Sequence, residues 1–261
     1  MWPIRFTAGS YILRFTTVDG TVDLSWPPAV AFTLGRNYWV SGDGQADADG
    51  GVGGTGDLIA ILDATLEAEA GATPTFTSTL TTAFQTRVVV STGTLNLLFS
   101  HANNTVDETI FGWNVLTDSG AASTITSPNQ VKGIWRPKRP IAVDSRDRQP
   151  IVGGIGRTLD GTPRSGVLTL PKKTRDLEFK YLVNAQTLIE YAATTEPFGT
   201  FEHAWNNALG LGYAFRYYPD ETNLATNAYT LYTARDLKDP LKRNELHRLY
   251  WDVYLQCQRV T

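Results

Sequence analysis

Residues 248–260 alternate without a break. Leu249, Trp251, Val253, Leu255 and Cys257 fall on one face, and Tyr250, Asp252, Tyr254, Gln256 and Gln258 on the other. A period of two puts successive side chains on opposite sides of a strand, so this run reads as a strand with one buried face. The same habit recurs from the start. Residues 11–18 and 22–26 are two such runs separated by Asp19-Gly20, a strong hairpin signal. Further strands are expected over 31–40, 87–90, 95–99, 176–182, 213–218 and 229–233, with 110–113 continuing a sheet. Seven Trp, eleven Tyr and eleven Phe against one Met give the apolar content a β character, and 23 Gly and 13 Pro supply turns. Helical spacing is sparse. Leu58, Ile59, Leu62 and Leu66 share one face of a helix over about 57–70, which Gly71 stops; shorter helices are expected over 185–193 and 200–209. The chain is therefore expected to be α+β and mainly β, with sandwich- or barrel-like domains and a few short helices.

Charge divides the chain. Residues 1–131 hold four Arg, no Lys and twelve acids, a balance of −8; residues 132–261 hold nineteen Lys or Arg and fourteen acids, a balance of +5. The switch coincides with a small, polar, Pro-containing stretch at 120–130. This suggests an acidic β-rich domain over 1–125 and a second domain, a basic arm plus α+β body, over 132–261. Halves of opposite sign can attract a second copy head to tail.

Several classes are disfavoured. One cysteine allows no intrachain disulfide and no Cys-based zinc site. The first residues lack the pattern of a signal peptide, and no apolar run is long enough to span a membrane, so synthesis and folding in a cytosol are expected. There is no Gly-x-Ser-x-Gly, no phosphate loop and no dinucleotide glycine spacing at 153–156. His101, His203 and His247 do not pair at ligand spacing, and Cys257 belongs to a core face. No catalytic residue, metal or cofactor is expected.

Two segments stand out as interaction candidates. The loop 41–57 has seven glycines in seventeen residues and carries Asp43, Asp47, Asp49 and Asp57. An EF-hand fails, since Gln45 and Gly56 stand where ligating carboxylates belong. An acidic, partner-facing loop is the better reading. The second segment is the Pro-interrupted basic arm with Lys132, Trp135, Arg136, Lys138, Arg139, Arg146 and Arg148. Its prolines favour an extended strap, and a pI of 5.6 argues for protein docking over nucleic acid.

The segment from Phe198 through Phe201, Glu202, His203 and Trp205 to Gly210, then Tyr213 to the Pro219-Asp220 turn, followed by a closing aromatic strand, resembles modules of virion proteins of tailed bacteriophages. The resemblance is to tail, baseplate and head–tail joining components, distal-tail-like in style. It implies a non-catalytic subunit made in the host cytoplasm and incorporated in the virion. Such a subunit forms a ring, commonly a hexamer, and docks neighbouring tail or neck proteins. The alternative is a carbohydrate-binding or carbohydrate-cleaving β protein, suggested by the abundance of Trp and Tyr.

Overall fold

The structure is a computed structural model. It describes residues 1–42, 56–69, 73–137, 147–148, 153–157, 163–167, 173–189, 199–220, 222–223, 226, 228–235, 240–243 and 248–260, with main chain alone at 147–148, 153–157 and 163–167.

The first unit opens with a hairpin of β1 (Tyr11–Thr17) and β2 (Gly20–Trp26), paired from Tyr11 with Trp26 to Thr17 with Gly20. Its two-residue loop is Val18-Asp19, one position ahead of the expected Asp-Gly. Gly20 instead begins the return strand at φ +116°, a conformation only glycine takes freely. α1 (Leu58–Glu67) follows, then β3 (Phe76–Leu80), β4 (Thr86–Val90), β5 (Asn96–Leu97) and β6 (Thr124–Thr126). The strands form two antiparallel sheets, β2-β1-β5 and β3-β4-β6. A bridge between Leu95 and Ala122 joins them into a curled half-barrel, and α1 lies against the outer strands β2 and β3.

The second unit contains β7 (Asp147–Arg148), β8 (Gly153–Arg157), β9 (Pro163–Val167), β10 (Thr174–Val183), α2 (Asn184–Thr187), α3 (Phe201–Ala204) running into a π turn, β11 (Phe215–Tyr217), β12 (Thr230–Ala234), β13 (Leu241–Arg243) and β14 (Tyr250–Arg259). Its main sheet has the order β11-β12-β14-β10-β7, with β13 also on β14. The long pair β10–β14 runs in register until a bulge between Phe179 and Leu182, where Tyr181 takes φ +60°. β8 and β9 form a separate two-stranded ladder.

The expectation of a mainly β, α+β chain is met. Particular elements differ. Residues 31–40 form no strand; only Tyr38 and Trp39 make isolated bridges, and Gly35 (φ +80°) breaks the run. Residues 110–113 do not extend a sheet. Asp107 caps a 3-10 turn over Glu108–Phe111, which Gly112 ends in the left-handed region. Leu249 precedes β14 and is 75% exposed, so the buried face of the final strand is Val253, Leu255 and Cys257.

Two hydrophobic cores form. The first draws on residues from Ile4 to Ile134 and centres on aromatic rings: Phe6 stacks on Phe32 at 3.9 Å, and Trp26 meets Phe6 and Phe111 edge-on. The second joins Trp2 to residues from Leu177 to Cys257.

Candidate functional site

The seam between the cores is built by two extended segments. In the first, Trp2 enters the second core while Ile4 enters the first, and Ile4 exchanges main-chain bonds with Tyr38. In the second, the main-chain N–H groups of Val131 and Lys132 donate to the Phe84 and Ile110 carbonyls, and Gly133 accepts from Trp2 at 2.6 Å. Gly133 sits at φ +89°, and a Cβ there would lie 2.6 Å from the Trp2 carbonyl oxygen, so this crossing needs glycine.

Part of the expected basic arm is thus the seam itself. Lys132 pairs with Asp107 at 2.9 Å. Burial pushes the Asp107 carboxyl up, but the Lys132 charge and the bonds from Thr109 and Lys132 outweigh it and hold it below the usual range. Trp135 packs edge-on against Phe179 and Phe201, and its indole N–H donates to the Gln186 carbonyl at 3.3 Å. The Arg136 guanidinium lies 5.7 Å from the Phe84 ring centre. Arg148 sits in β7, with its main chain paired to Thr174. Lys138, Arg139 and Arg146 lie outside the described residues, as do Asp43, Asp47 and Asp49.

Asp57, the last acid of the glycine-rich segment, has a structural job. It is fully buried, and its carboxylate accepts from the N–H groups of Ser41, Gly42 and Ile59, capping α1 and fixing the approach to it. Charges that sequence reasoning missed also hold the seam. Arg216 is 1% exposed, its guanidinium 4.5 Å from the Trp39 ring centre and 4.4 Å from that of Tyr229, so one cation bridges both units. No local spacing marks this contact, which depends on the tertiary approach of three distant segments.

Two cavities flank the seam. One of about 460 Å³ is lined by Phe84, Trp135, Arg136, Phe179, Tyr217 and Asp220, among others. The other, about 330 Å³, gathers Arg5, Asp107, Lys132, His203 and Asn207. Each of these groups is already engaged. Arg5 lies over the Tyr213 ring at 3.8 Å, and Lys132 holds Asp107. Burial, helped by the Lys132 charge, lowers His203 to about 4, so its ring is neutral at pH 7. Cys257 lies in the second core, where burial and then the Asp176 carboxylate push its thiol up to about 12, far from a reactive thiolate. Among the described residues no group of three or more His, Cys, Asp or Glu is placed to hold a metal ion, and no helix is long and apolar enough to cross a membrane.

Sheet edges are the remaining chemistry. On β3, the N–H groups of Phe76 and Ser78 donate to Glu67 and Asp63 of α1, the latter at 2.7 Å. The helix therefore blunts that edge with two carboxylates one turn apart. On β11, the Arg216 N–H donates to the Met1 carbonyl. Among the described residues β2 pairs with β1 alone, and β8 and β9 pair only with each other. No family model, no curated protein and no solved structure matches the chain.

Proposed function

We propose that this chain is a non-enzymatic structural subunit that assembles with copies of itself into a ring, of the kind used in the tail, baseplate or neck of a tailed bacteriophage, where it docks neighbouring virion proteins. The observation that carries the reading is the charge asymmetry. The −8 stretch (residues 1–131) supplies nearly all of the first core, and the +5 stretch (residues 132–261) nearly all of the second. A ring needs heterologous contacts, in which one patch meets a different patch on the next copy. Two units of opposite sign held side by side supply such a pair, and they also supply rapid, salt-sensitive encounter. The tail assignment itself rests on the sequence resemblance, carried by the β-rich first domain, residues 198–220 and the closing aromatic strand. The test is the native mass of the purified chain across concentration at moderate salt, with the particles imaged. Closed rings of a fixed multiple of 28.7 kDa are expected; a monomer at every concentration and salt would overturn the reading.

A second reading, a carbohydrate-binding protein, is favoured by the 460 Å³ cavity, where Trp135, Tyr217 and Tyr218 stand with Arg136 and Asp220. Aromatic faces with a few polar groups suit a sugar ring. Saturable quenching of tryptophan fluorescence by an oligosaccharide, lost in Tyr217→Ala, would support it. Against it, Trp2, Trp26, Trp39 and Trp113 are core residues.

A further inference from the structure

β7 and β10 are antiparallel neighbours at the border of the large sheet, with Asp147 opposite Arg175 and Arg148 opposite Thr174. The chain that leaves β7 and returns to β10 contains the second ladder, from Gly153 opposite Val167 to Arg157 opposite Pro163. Both ladders join the same two stretches in the same antiparallel sense, with their registers two residues apart. β8 and β9 therefore lie inside the connection whose base is the β7–β10 pair. Only the base is joined to the large sheet; among the described residues the outer ladder has no third strand. A two-stranded ladder of five pairs is marginal in water by itself. Gly153, Gly154, Gly156 and Gly166 give this one little side chain to pack. Such a ladder gains most from a further strand or surface.

Its charge says which surface. Residues 147–175 carry six Lys or Arg and two Asp. The acidic partner within reach of a repeating assembly is the first unit of a neighbouring copy. On that unit the edge of β3 is already taken by Asp63 and Glu67, whereas β2, seven residues long, pairs with β1 alone among the described residues. Thr21, Asp23 and Ser25 of β2 are exposed, and Asp19 is exposed at its turn. Arg14, the cation beside this strand, is held by both oxygens of Asp23. Acids also gather at the turn: Glu69 accepts from Thr17 there, close enough to Asp19 to feel its charge.

We infer that the β8–β9 hairpin of one copy docks on the edge strand β2 of the acidic unit of the next copy, and that this contact closes the ring. The inference rests on the ring reading above and names the contact that reading requires. Strand addition supplies main-chain bonds, and the opposed charges set direction and register.

The test compares three full chains by native mass, far-UV circular dichroism and thermal unfolding. In one variant the residues beyond the Arg148–Thr174 pair, 149–173, are replaced by Asn-Gly, which closes β7–β10 with a two-residue turn. In the other, Thr21→Lys and Ser25→Lys place two cations on β2 at exposed positions and leave the hairpin intact. The wild type is expected as a ring, the Thr21→Lys/Ser25→Lys variant as a 28.7 kDa monomer with unchanged dichroism, and the shortened variant as a monomer lighter by the deleted segment that keeps the dichroism of the remaining strands. A ring with the wild-type number of copies from the shortened variant overturns the hairpin's role. A wild-type ring from the Thr21→Lys/Ser25→Lys variant overturns the assignment to β2. A wild type that never assembles overturns the ring reading and this contact together. If the shortened variant loses its dichroism, the β2 variant decides by the same criterion.

Discussion

Single carboxylates in this chain do unlike work according to what surrounds them. Asp57 is buried and accepts from three main-chain N–H groups, so Asp57→Ala removes a helix cap and leaves the buried Ile59 N–H without that acceptor. A loss of about 2–3 kcal/mol is expected in urea unfolding, with an unchanged slope. Asp63 is the opposite case. Burial, with the nearby Glu67 charge, raises its carboxyl above the ordinary 3.8 despite the bonds from Ser78. A raised folded-state value means the favourable contribution is complete below 3.8 and is lost as pH rises through the folded value. Asp63→Asn keeps an oxygen for the Ser78 N–H and removes the titration. Its stability relative to wild type should therefore rise between pH 4 and pH 7; a relative fall over that range would contradict this account of Asp63.

Among the elements, the seam has the least tolerance. Gly133→Ala would place a methyl carbon against the Trp2 carbonyl at a backbone angle that alanine avoids. About 2 kcal/mol of destabilisation is expected, read as a lower thermal midpoint with native dichroism retained below it. The sequence announces such elements unevenly. Alternation marks β1, β2 and β14, and the apolar face marks α1, because those signals are local. The strand expected at 31–40 does not form, because Gly35 in the left-handed region turns the chain in the middle of the run. The basic segment at 132–136 reads as an extended strap because charge and proline are visible in sequence, whereas the surface it lies on, Phe179, Phe201 and Asp107 of the same chain, is decided by residues far along the chain. The hairpin inside 147–175 could be read only as short strands. Its continuity with the large sheet appears once β7 and β10 are seen as neighbours.

At the scale of the whole molecule, two β units of opposite charge are bolted together by Trp2, Gly133, Trp135 and Arg216, and among the described residues β2 has one strand partner while β8 and β9 have only each other. This arrangement suits repetition of one subunit. Salt should weaken the assembly, because encounter between opposed charges is screened over about 10 Å at 0.1 M. A rise in the concentration needed for half-assembly between 50 mM and 500 mM salt, followed by sedimentation, checks it. The most direct measurement uses the absence of lysine from residues 1–131. Zero-length coupling of lysine to carboxylate, on an equal mixture of unlabelled and nitrogen-15 copies, links that acidic stretch only to the second half and shows whether each link crosses between copies. The Lys132–Asp107 pair at 2.9 Å is the built-in standard for a link within one copy. Links between copies from Lys172 or Lys173 to Asp19, Asp23 or Glu69 are the expected result. Finding the Lys132–Asp107 link, with every link to the acidic half confined to a single copy, would contradict the account.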